Sequence, residues 1–334
     1  MNISLLDAFI KAELLSNRKI SVPKEINMFS MSNAGPDAGM RTIVFSFNGR
    51  GVKLEVTREK NVFSLKKKNG VFQIFKNNSL YVDDVKILQA PFHAPNQIFI
   101  SLSNRCIYDC RFCVSNCLRR INYSPEKWVD FVINALSDVN SVSITSSIPE
   151  HPGKTVEDIV YIIRRIRECS NIPVGVEAYT TDFSDIDKLK DAGADELKIN
   201  IQSYDRNIFS KICPDLDYNR ILKILEYGVD VFGKNKVCSN IIIGMGEPDE
   251  NVLKGVEELA SIGAVANIRM LRVNRYNRVS LENSIGSLEN VSPERLISLA
   301  FSQKEILEKY HLTTRFRTMC HACTCCDIEP WRDV

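Results

Sequence analysis

The chain has 334 residues, of which 44% are hydrophobic and 25% charged, and its formal net charge is +2. This balance fits a globular chain with room for one large domain and a small one. It gives no electrostatic drive toward nucleic acid, and no apolar run nears the ~20 residues of a membrane helix. Eleven cysteines behind no basic-then-apolar leader predict a reducing, cytoplasmic setting in which thiols bind metal rather than pair.

Residues 1–95 read as a β-rich unit. After a helix-like start from Leu5 to Leu15, residues 32–39 (Ser-Asn-Ala-Gly-Pro-Asp-Ala-Gly) are dense in turn formers. They read as a solvated loop, with the lining of a substrate entrance as the competing role. Apolar runs follow at 43–47, 52–56, 62–65, 71–75 and 80–87, with Asn48-Gly49 and Asn69-Gly70 between them as hairpin signals. A small antiparallel β unit is expected.

From residue 96 to 311 strand and helix alternate. Strands are expected at 98–102, 141–145, 173–178, 196–201, 236–243 and 267–272. Helix starts are expected at Ser124-Pro125, at a Thr155/Asp158 capping box, at Thr181 or Asp182 and at Asp217. Gly193 and Gly228 are read as helix ends, and a last helix as running from Pro293 to about Tyr310. Such alternation predicts an α/β fold, a partial or complete parallel (β/α) barrel with its chemistry at the C-terminal strand ends. Within the run Leu197 to Gln202, period two puts Lys198, Asn200 and Gln202 on one face, toward the cavity or toward helices.

The first of these strands runs into Cys106-Ile107-Tyr108-Asp109-Cys110-Arg111-Phe112-Cys113. Three thiolates on a four-iron cluster leave one iron open to a small molecule. Structural zinc, with Cys117 as fourth ligand, is the competing reading. The Cys-x3-Cys-x2-Cys spacing with an aromatic before the third cysteine resembles the radical S-adenosylmethionine (radical SAM) superfamily, and residues 97–320 are most similar to its biotin-synthase branch. That resemblance implies a [4Fe–4S] cluster on Cys106, Cys110 and Cys113. S-adenosylmethionine would bind the open iron, a reductant such as ferredoxin or flavodoxin would feed the cluster, and a 5′-deoxyadenosyl radical would form.

The same resemblance implies cofactor contacts. Gly244 and Gly246, in Ile243-Gly244-Met245-Gly246-Glu247, match the Gly-rich strand end that approaches adenine; a tight strand-to-helix turn is the plainer reading. Asn200 or Gln202, and Glu177 on the third strand, would reach the ribose. Ser146 and Ser147 stand where many relatives carry Gly-Gly-Glu for the methionine amino group. Phe112 would pack near adenine or simply in the core. His151, beyond the second strand, is a possible substrate contact, and Cys169 and Cys213 read as small hydrophobes.

Residues 312–334 form a cysteine-rich end: Met319-Cys320-His321-Ala322-Cys323-Thr324-Cys325-Cys326-Asp327. Adjacent Cys325 and Cys326 fit tetrahedral zinc poorly, so Cys320, Cys323, Cys325 and Cys326 are expected to hold an auxiliary iron–sulfur cluster; zinc aided by His321, or a redox-active tail, stays open. The alternation Thr313 to Thr318 reads as a final strand. Of the biotin-synthase cysteine positions Cys238 matches one, but Ile144 to Ser147 lack a cysteine and Tyr179 stands where another would be, so the second cluster is expected from the tail instead. The expected reaction is sulfur insertion into an unactivated C–H bond, as in lipoyl synthases of the archaeal two-protein type. That carries an acylated carrier protein and a second radical SAM protein as partners. A radical isomerase or C–C bond-forming enzyme of cofactor biosynthesis is the alternative, and a non-catalytic iron–sulfur assembly protein the remaining one.

Overall fold

The computed structural model describes residues 5–32, 34–35, 37–90, 93–121, 123–286 and 288–334. Helix α1 (Leu5–Asn17) leads into β1 (Lys19–Ser21), β2 (Ser30–Met31), β3 (Arg41–Phe47), β4 (Arg50–Thr57), β5 (Phe63–Lys68), β6 (Val71–Lys76) and β7 (Ser79–Leu88). Their order is β2-β3-β4-β1-β5-β6-β7, and β7 also pairs with β3, so six strands close into a barrel with β2 as an outrigger. Closure removes the free edges that an open sheet would expose. Both Asn-Gly steps make the expected hairpins, with φ of 46° and 80° at Asn48-Gly49 and 49° and 85° at Asn69-Gly70. The unit is antiparallel except at β1, which arrives from a helix rather than a hairpin and runs parallel to β4 and β5.

The second sheet begins at β8 (His93–Ala94), which turns antiparallel onto β9 (Gln97–Ser101). Then come α2 (Pro125–Ala135), β10 (Ser141–Thr145), α3 (Pro152–Arg167), β11 (Val174–Glu177), α4 (Phe183–Asp191), β12 (Glu196–Lys198), α5 (Arg206–Ile212), α6 (Tyr218–Phe232), β13 (Val237–Ile243), α7 (Asp249–Ile262) and β14 (Val265–Met270). Strands β9 to β14 are parallel and neighbour one another in chain order, a six-stranded curled (β/α) half-barrel. Covered on both faces, such strands read as near-continuous apolar runs, and all seven residues of β13 are buried. Helices α8 (Arg278–Ile285), α9 (Pro293–Lys309) and α10 (Met319–Cys323) complete the fold, and α1 packs on α9. Among the described residues no helix is long and apolar enough to cross a membrane.

Three local expectations change. Helix α3 starts a turn before Thr155, because His151 accepts a hydrogen bond from the Gly153 N–H (3.1 Å) and Pro152 supplies a preset first turn. Gly228 lies inside α6 rather than at its end: a Cβ there would stand 3.0 Å from Leu197, so its role is close packing, and Gly233 ends the helix. Residues 313–318 do alternate, Thr314, Phe316 and Thr318 buried and Arg315 and Arg317 exposed, yet they form no strand. A carboxylate takes their amides instead. Glu196 accepts from the N–H groups of Arg317 and Thr318, each at 2.9 Å, and from the Thr318 hydroxyl at 2.5 Å.

The chain end closes the lower, N-terminal end of the half-barrel. The Met319 N–H donates to Gln97 Oε1 (2.6 Å) and Ser143 Oγ (2.9 Å). Gly175 on β11 makes room, since a Cβ there would lie 2.1 Å from Thr318 Oγ1. Further on, the Lys53 N–H on β4 donates to the Cys325 carbonyl (2.8 Å). Buried Lys11 on α1 bridges the Thr324 carbonyl (2.7 Å) and the Asp333 carboxylate (2.6 Å). Helix α1, the small barrel and the last residues are thereby one clasp.

Candidate active site

A chamber of about 280 Å³ opens at the C-terminal strand ends. The loop after β9 forms its upper wall and is held by its own backbone. The Cys106 N–H donates to Asn116 Oδ1 (2.8 Å) while Asn116 Nδ2 donates to the Cys106 carbonyl (3.0 Å). The N–H groups of Ile107 and Arg111 donate to the carbonyls of Ile148 and Ile212, both at 2.8 Å. The Asp109 N–H donates to Asp215 Oδ2 (2.8 Å). A loop tethered at every second residue presents Cys106, Cys110 and Cys113 along one chamber wall, none of them buried. Three unburied thiols around one opening, on a fixed loop, are a donor set that fits an iron–sulfur cluster with an open iron. Among the described residues, no three His, Cys, Asp or Glu side chains converge as a single metal ion would require.

The expected nucleoside contacts divide. Phe112, Ser146, Ser147, Glu177, Asn200 and Gln202 all line the chamber. Glu177 Oε1 accepts from Asn200 Nδ2 (2.6 Å), and Asn200 Oδ1 accepts from the Asn240 N–H (3.0 Å). Gly244 and Gly246 do not line it. Both take positive φ, 100° and 93°, in a turn where the Gly244 and Met245 N–H groups each donate to the Glu247 carboxylate at 2.8 Å. Glu247 is in turn bound by Arg295 (2.9 Å). What the structure shows at these glycines is a tight strand-to-helix turn. His151 is likewise spent as a helix cap and is not among the lining residues. Cys213 is buried beneath the loop and hydrogen-bonds Cys110, which pulls the Cys110 thiol down and pushes its own well up.

The four tail cysteines line two different openings. Cys320 and Cys326 line the chamber from below, together with Asp327. The Cys320 sulfur accepts from Arg269 Nη2 (3.3 Å) and lies 3.6 Å from Lys198 Nζ. Cys323 and Cys325 instead line a separate cleft between the small barrel and the lower end of the half-barrel. Cys325 packs with Val44 and Ala90, and a Cβ on Gly51 would stand 2.6 Å from its sulfur. The expected four-cysteine set is thus divided between two openings, Cys320 and Cys326 on the chamber and Cys323 and Cys325 on the cleft. His321, stacked on Phe316 and with burial lowering its pKa to about 3, is a neutral core residue.

Several residues in and behind the chamber wall are not singled out by the sequence pattern. Arg269 on β14 binds Asp327 (2.7 Å), and Asn267 Nδ2 donates to Asn240 Oδ1 (2.9 Å). The period-two reasoning that found Lys198, Asn200 and Gln202 applies equally to Asn267 and Arg269 in Asn-Ile-Arg-Met. Lys53, Ser32 and His93 form a buried knot where the barrels meet. Lys53 Nζ donates to Ser32 Oγ (3.2 Å) and to the His93 carbonyl (3.1 Å), and sits 3.2 Å from His93 Nδ1. Burial, then the Lys53 charge, holds His93 well below its ordinary pKa, so the ring is neutral. The 32–39 segment is not a plain solvated loop: Ala34, Gly35, Asp37 and Ala38 line the chamber, while Asn33 and Pro36 lie outside the described residues.

Residues 100–259 match the family model described as Radical SAM superfamily. The chain carries a radical SAM domain. Its half-barrel is similar in fold to methylornithine synthase (TM-score 0.54, 15% identity, covering 64% of this chain and 62% of that one). The FeFe-hydrogenase maturase HydG from Carboxydothermus hydrogenoformans is similar at a TM-score of 0.52 and 19% identity, covering 64% and 52%. At such identities the likeness is one of fold. Among curated relatives, biotin synthase of Clostridioides difficile (strain 630) is 24% identical over 188 residues, covering 53% of this chain and 54% of the relative. Lipoyl synthase of Picrophilus torridus is 26% identical over 190 residues, covering 54% and 62%. The chain thus spans a little over half the length of the curated relatives it matches, within the radical SAM domain and its biotin-synthase-like branch.

Proposed function

We propose that this chain is a radical SAM enzyme whose substrate reacts between two cysteine-bearing walls of one chamber. Cys106, Cys110 and Cys113 would hold a [4Fe–4S] cluster, which with S-adenosylmethionine bound would supply a 5′-deoxyadenosyl radical by one-electron reductive cleavage. The observation that carries the reading is the shared chamber, with the loop thiols above and Cys320 and Cys326 below. Glu177 and Asn200 are fixed to each other and offer a carboxylate and amide to ribose hydroxyls. Gln202, held in left-handed backbone (φ 63°) by its bridge to β13, presents its amide beside them. Apolar walls, including Ile242, Met270 and Leu271, limit water at the reacting carbon. The electron donor would be a ferredoxin or flavodoxin.

The finer reading is sulfur insertion into an unactivated C–H bond, with an acylated carrier as substrate and a second radical SAM protein as partner. Two tail thiols facing the chamber, one between Arg269 and Lys198, support an anionic iron–sulfur group on Cys320 and Cys326. The placement of Cys323 and Cys325 on the separate cleft favours the second reading, a radical isomerase or C–C bond-forming enzyme whose lower wall only positions substrate.

Alanine at Cys106, Cys110 or Cys113 is expected to abolish 5′-deoxyadenosine formation; retained cleavage in any of them overturns the assignment. Anaerobic iron analysis of the Cys320→Ala/Cys326→Ala pair separates the finer readings. Roughly eight irons falling to about four, with cleavage kept, supports the auxiliary cluster, and about four in both proteins supports the second reading. Cys325→Ala should leave the iron count unchanged.

A further inference from the structure

Charge is divided unevenly between the two barrels. Residues 1–95 carry fourteen lysines and arginines against eight acids, so a chain of net charge +2 consists of a small-barrel unit of +6 and a remainder of −4. Part of the excess gathers at one end of the small barrel, where β1 and β4 finish and β3 begins. A cleft of about 350 Å³ there is lined by Lys24, Arg58, Lys60 and Lys66 and by no aspartate or glutamate; the neighbouring Glu25 and Glu59 do not line it. Arg58 braces the cleft by donating to the carbonyls of Val22 and Pro23. Among the described residues Lys24, Lys60 and Lys66 pair with no carboxylate.

This barrel end runs on to the chamber. The guanidinium carbons of Arg41 and Arg58 lie 5.4 and 5.7 Å from the centre of the Phe29 ring, which links the cleft to the first residue of β3. Arg41 pairs with Met31 across β2 and β3, and the segment joining those strands lines the chamber with Ala34, Gly35, Asp37 and Ala38. Gly39 abuts the next loop, since a Cβ there would stand 2.7 Å from Leu118 Cδ2. That contact brings exposed Arg119 and Arg120 alongside, on a backbone that Asn104 holds through the Arg119 carbonyl (2.6 Å) and the Ile121 N–H (2.8 Å). Met28 and Met31, 46% and 57% exposed, lie in the same stretch. Arginine, methionine and an aromatic are the side chains enriched in protein interfaces, and methionine adapts to a partner's shape. The composition points to a protein rather than to an anionic polymer.

We infer that this end of the small barrel, from the Lys24 cleft to Arg119, is the docking face for the acylated carrier, and that the carrier is an acidic protein. Opposite charge speeds encounter and sets orientation, while like-charged partners are turned away. Docked there, the carrier stands beside segment 34–38, from which its acyl arm enters the chamber. An electron donor has to approach Cys106, Cys110 and Cys113 instead, and that loop is mixed in charge, with Asp109 and Asp215 exposed and Arg111 paired to Asp109. The uncompensated charge lies on the barrel and favours the carrier. The inference rests on the proposed function in taking an acylated carrier as the substrate.

The test is fluorescence anisotropy of an acidic carrier domain, octanoylated on one lysine, titrated with the cluster-reconstituted full chain in the presence of S-adenosylmethionine. A neutral octanoyl-lysine peptide is the comparison. The carrier is expected to bind about tenfold more tightly than the peptide, with the margin narrowing as salt rises from about 50 to 300 mM. The pairs Lys24→Glu/Lys60→Glu and Arg41→Glu/Arg119→Glu should each weaken the carrier by about tenfold and leave the peptide unmoved. Lys86→Glu, on β7 and outside the face, should weaken it by less than about twofold. All five cations are exposed, so the melting temperatures should hardly move. Absence of carrier binding, equal binding of carrier and peptide, a carrier affinity unmoved in both pairs, or an equal loss in Lys86→Glu overturns the docking face. A ferredoxin or flavodoxin that binds more tightly than the carrier and is lost in the same pairs overturns the carrier as occupant. Hydrogen abstraction from the octanoyl peptide is read separately: if it proceeds while the carrier does not dock, the docking face falls and the proposed function stands.

Discussion

The two cysteine-bearing walls are built on opposite principles. The upper loop is held by main-chain hydrogen bonds to neighbouring loops and by one exposed asparagine, and all three of its thiols keep some access. The lower wall is a chain end drawn through the interior and fixed by buried charge, with Lys11 on Asp333, Glu196 on residues 317–318, and Arg269 on Asp327. A surface loop can receive a metal group after folding. A plug of buried ion pairs is part of the packed interior, so its thiols are positioned by stability as much as by chemistry.

Breaking the plug should therefore cost the most. Lys11 and Asp333 are each 1% exposed, and their contact joins α1 to the chain end. Lys11→Met strands a buried carboxylate whose other cation, Arg50, is 3.7 Å away. A loss of about 3–5 kcal/mol in urea unfolding is expected. A change below about 1 kcal/mol, the scale of exposed ion pairs, would mean that the chain end is not fixed by charge and would dissolve the contrast.

The pH response of the same region sharpens it. Burial, then Asp333, raises the Glu329 carboxyl from 4.5 to about 7. A raised folded pKa means that the folded chain holds the proton more tightly. The contribution is thus full below about pH 4.5 and disappears as pH rises through 7. Glu329→Gln should flatten this slope, reducing the stability difference between pH 5 and pH 8 by on the order of 2 kcal/mol. An unchanged pH profile in the variant would place the titration elsewhere.

What the sequence disclosed follows the same division. Period and punctuation announce repeated local structure, so the six parallel strands and the two Asn-Gly hairpins were legible, as was the loop spacing Cys-x3-Cys-x2-Cys. Closure of the small barrel depends on β7 meeting β3 across some forty residues, a contact that no local pattern encodes. The arrangement of the cysteine-rich end was not legible for a related reason. Its spacing suggests one cluster, while where each thiol packs depends on distant residues, as at Gly51, which stands against the Cys325 sulfur. Lys53 in Val-Lys-Leu-Glu looks like the outward charge of a strand, and only the docking of two barrels makes it interior.

The smallest expected stability effect lies on the loop, and it is the one where stability and function should separate. Asn116 makes two reciprocal hydrogen bonds to the Cys106 backbone, both solvent-exposed. Water can replace each of them in the variant, so Asn116→Ala should cost no more than about 1 kcal/mol. Cluster assembly asks for more than a folded chain, because the Cys106 thiol must wait in register with Cys110 and Cys113, and ordering a freed segment costs roughly 1–2 kcal/mol per residue. Iron uptake during anaerobic reconstitution should therefore fall several-fold while the melting temperature hardly moves. If iron and melting temperature fall together, the loop is part of the folding unit after all, and the two walls differ in chemistry but not in construction.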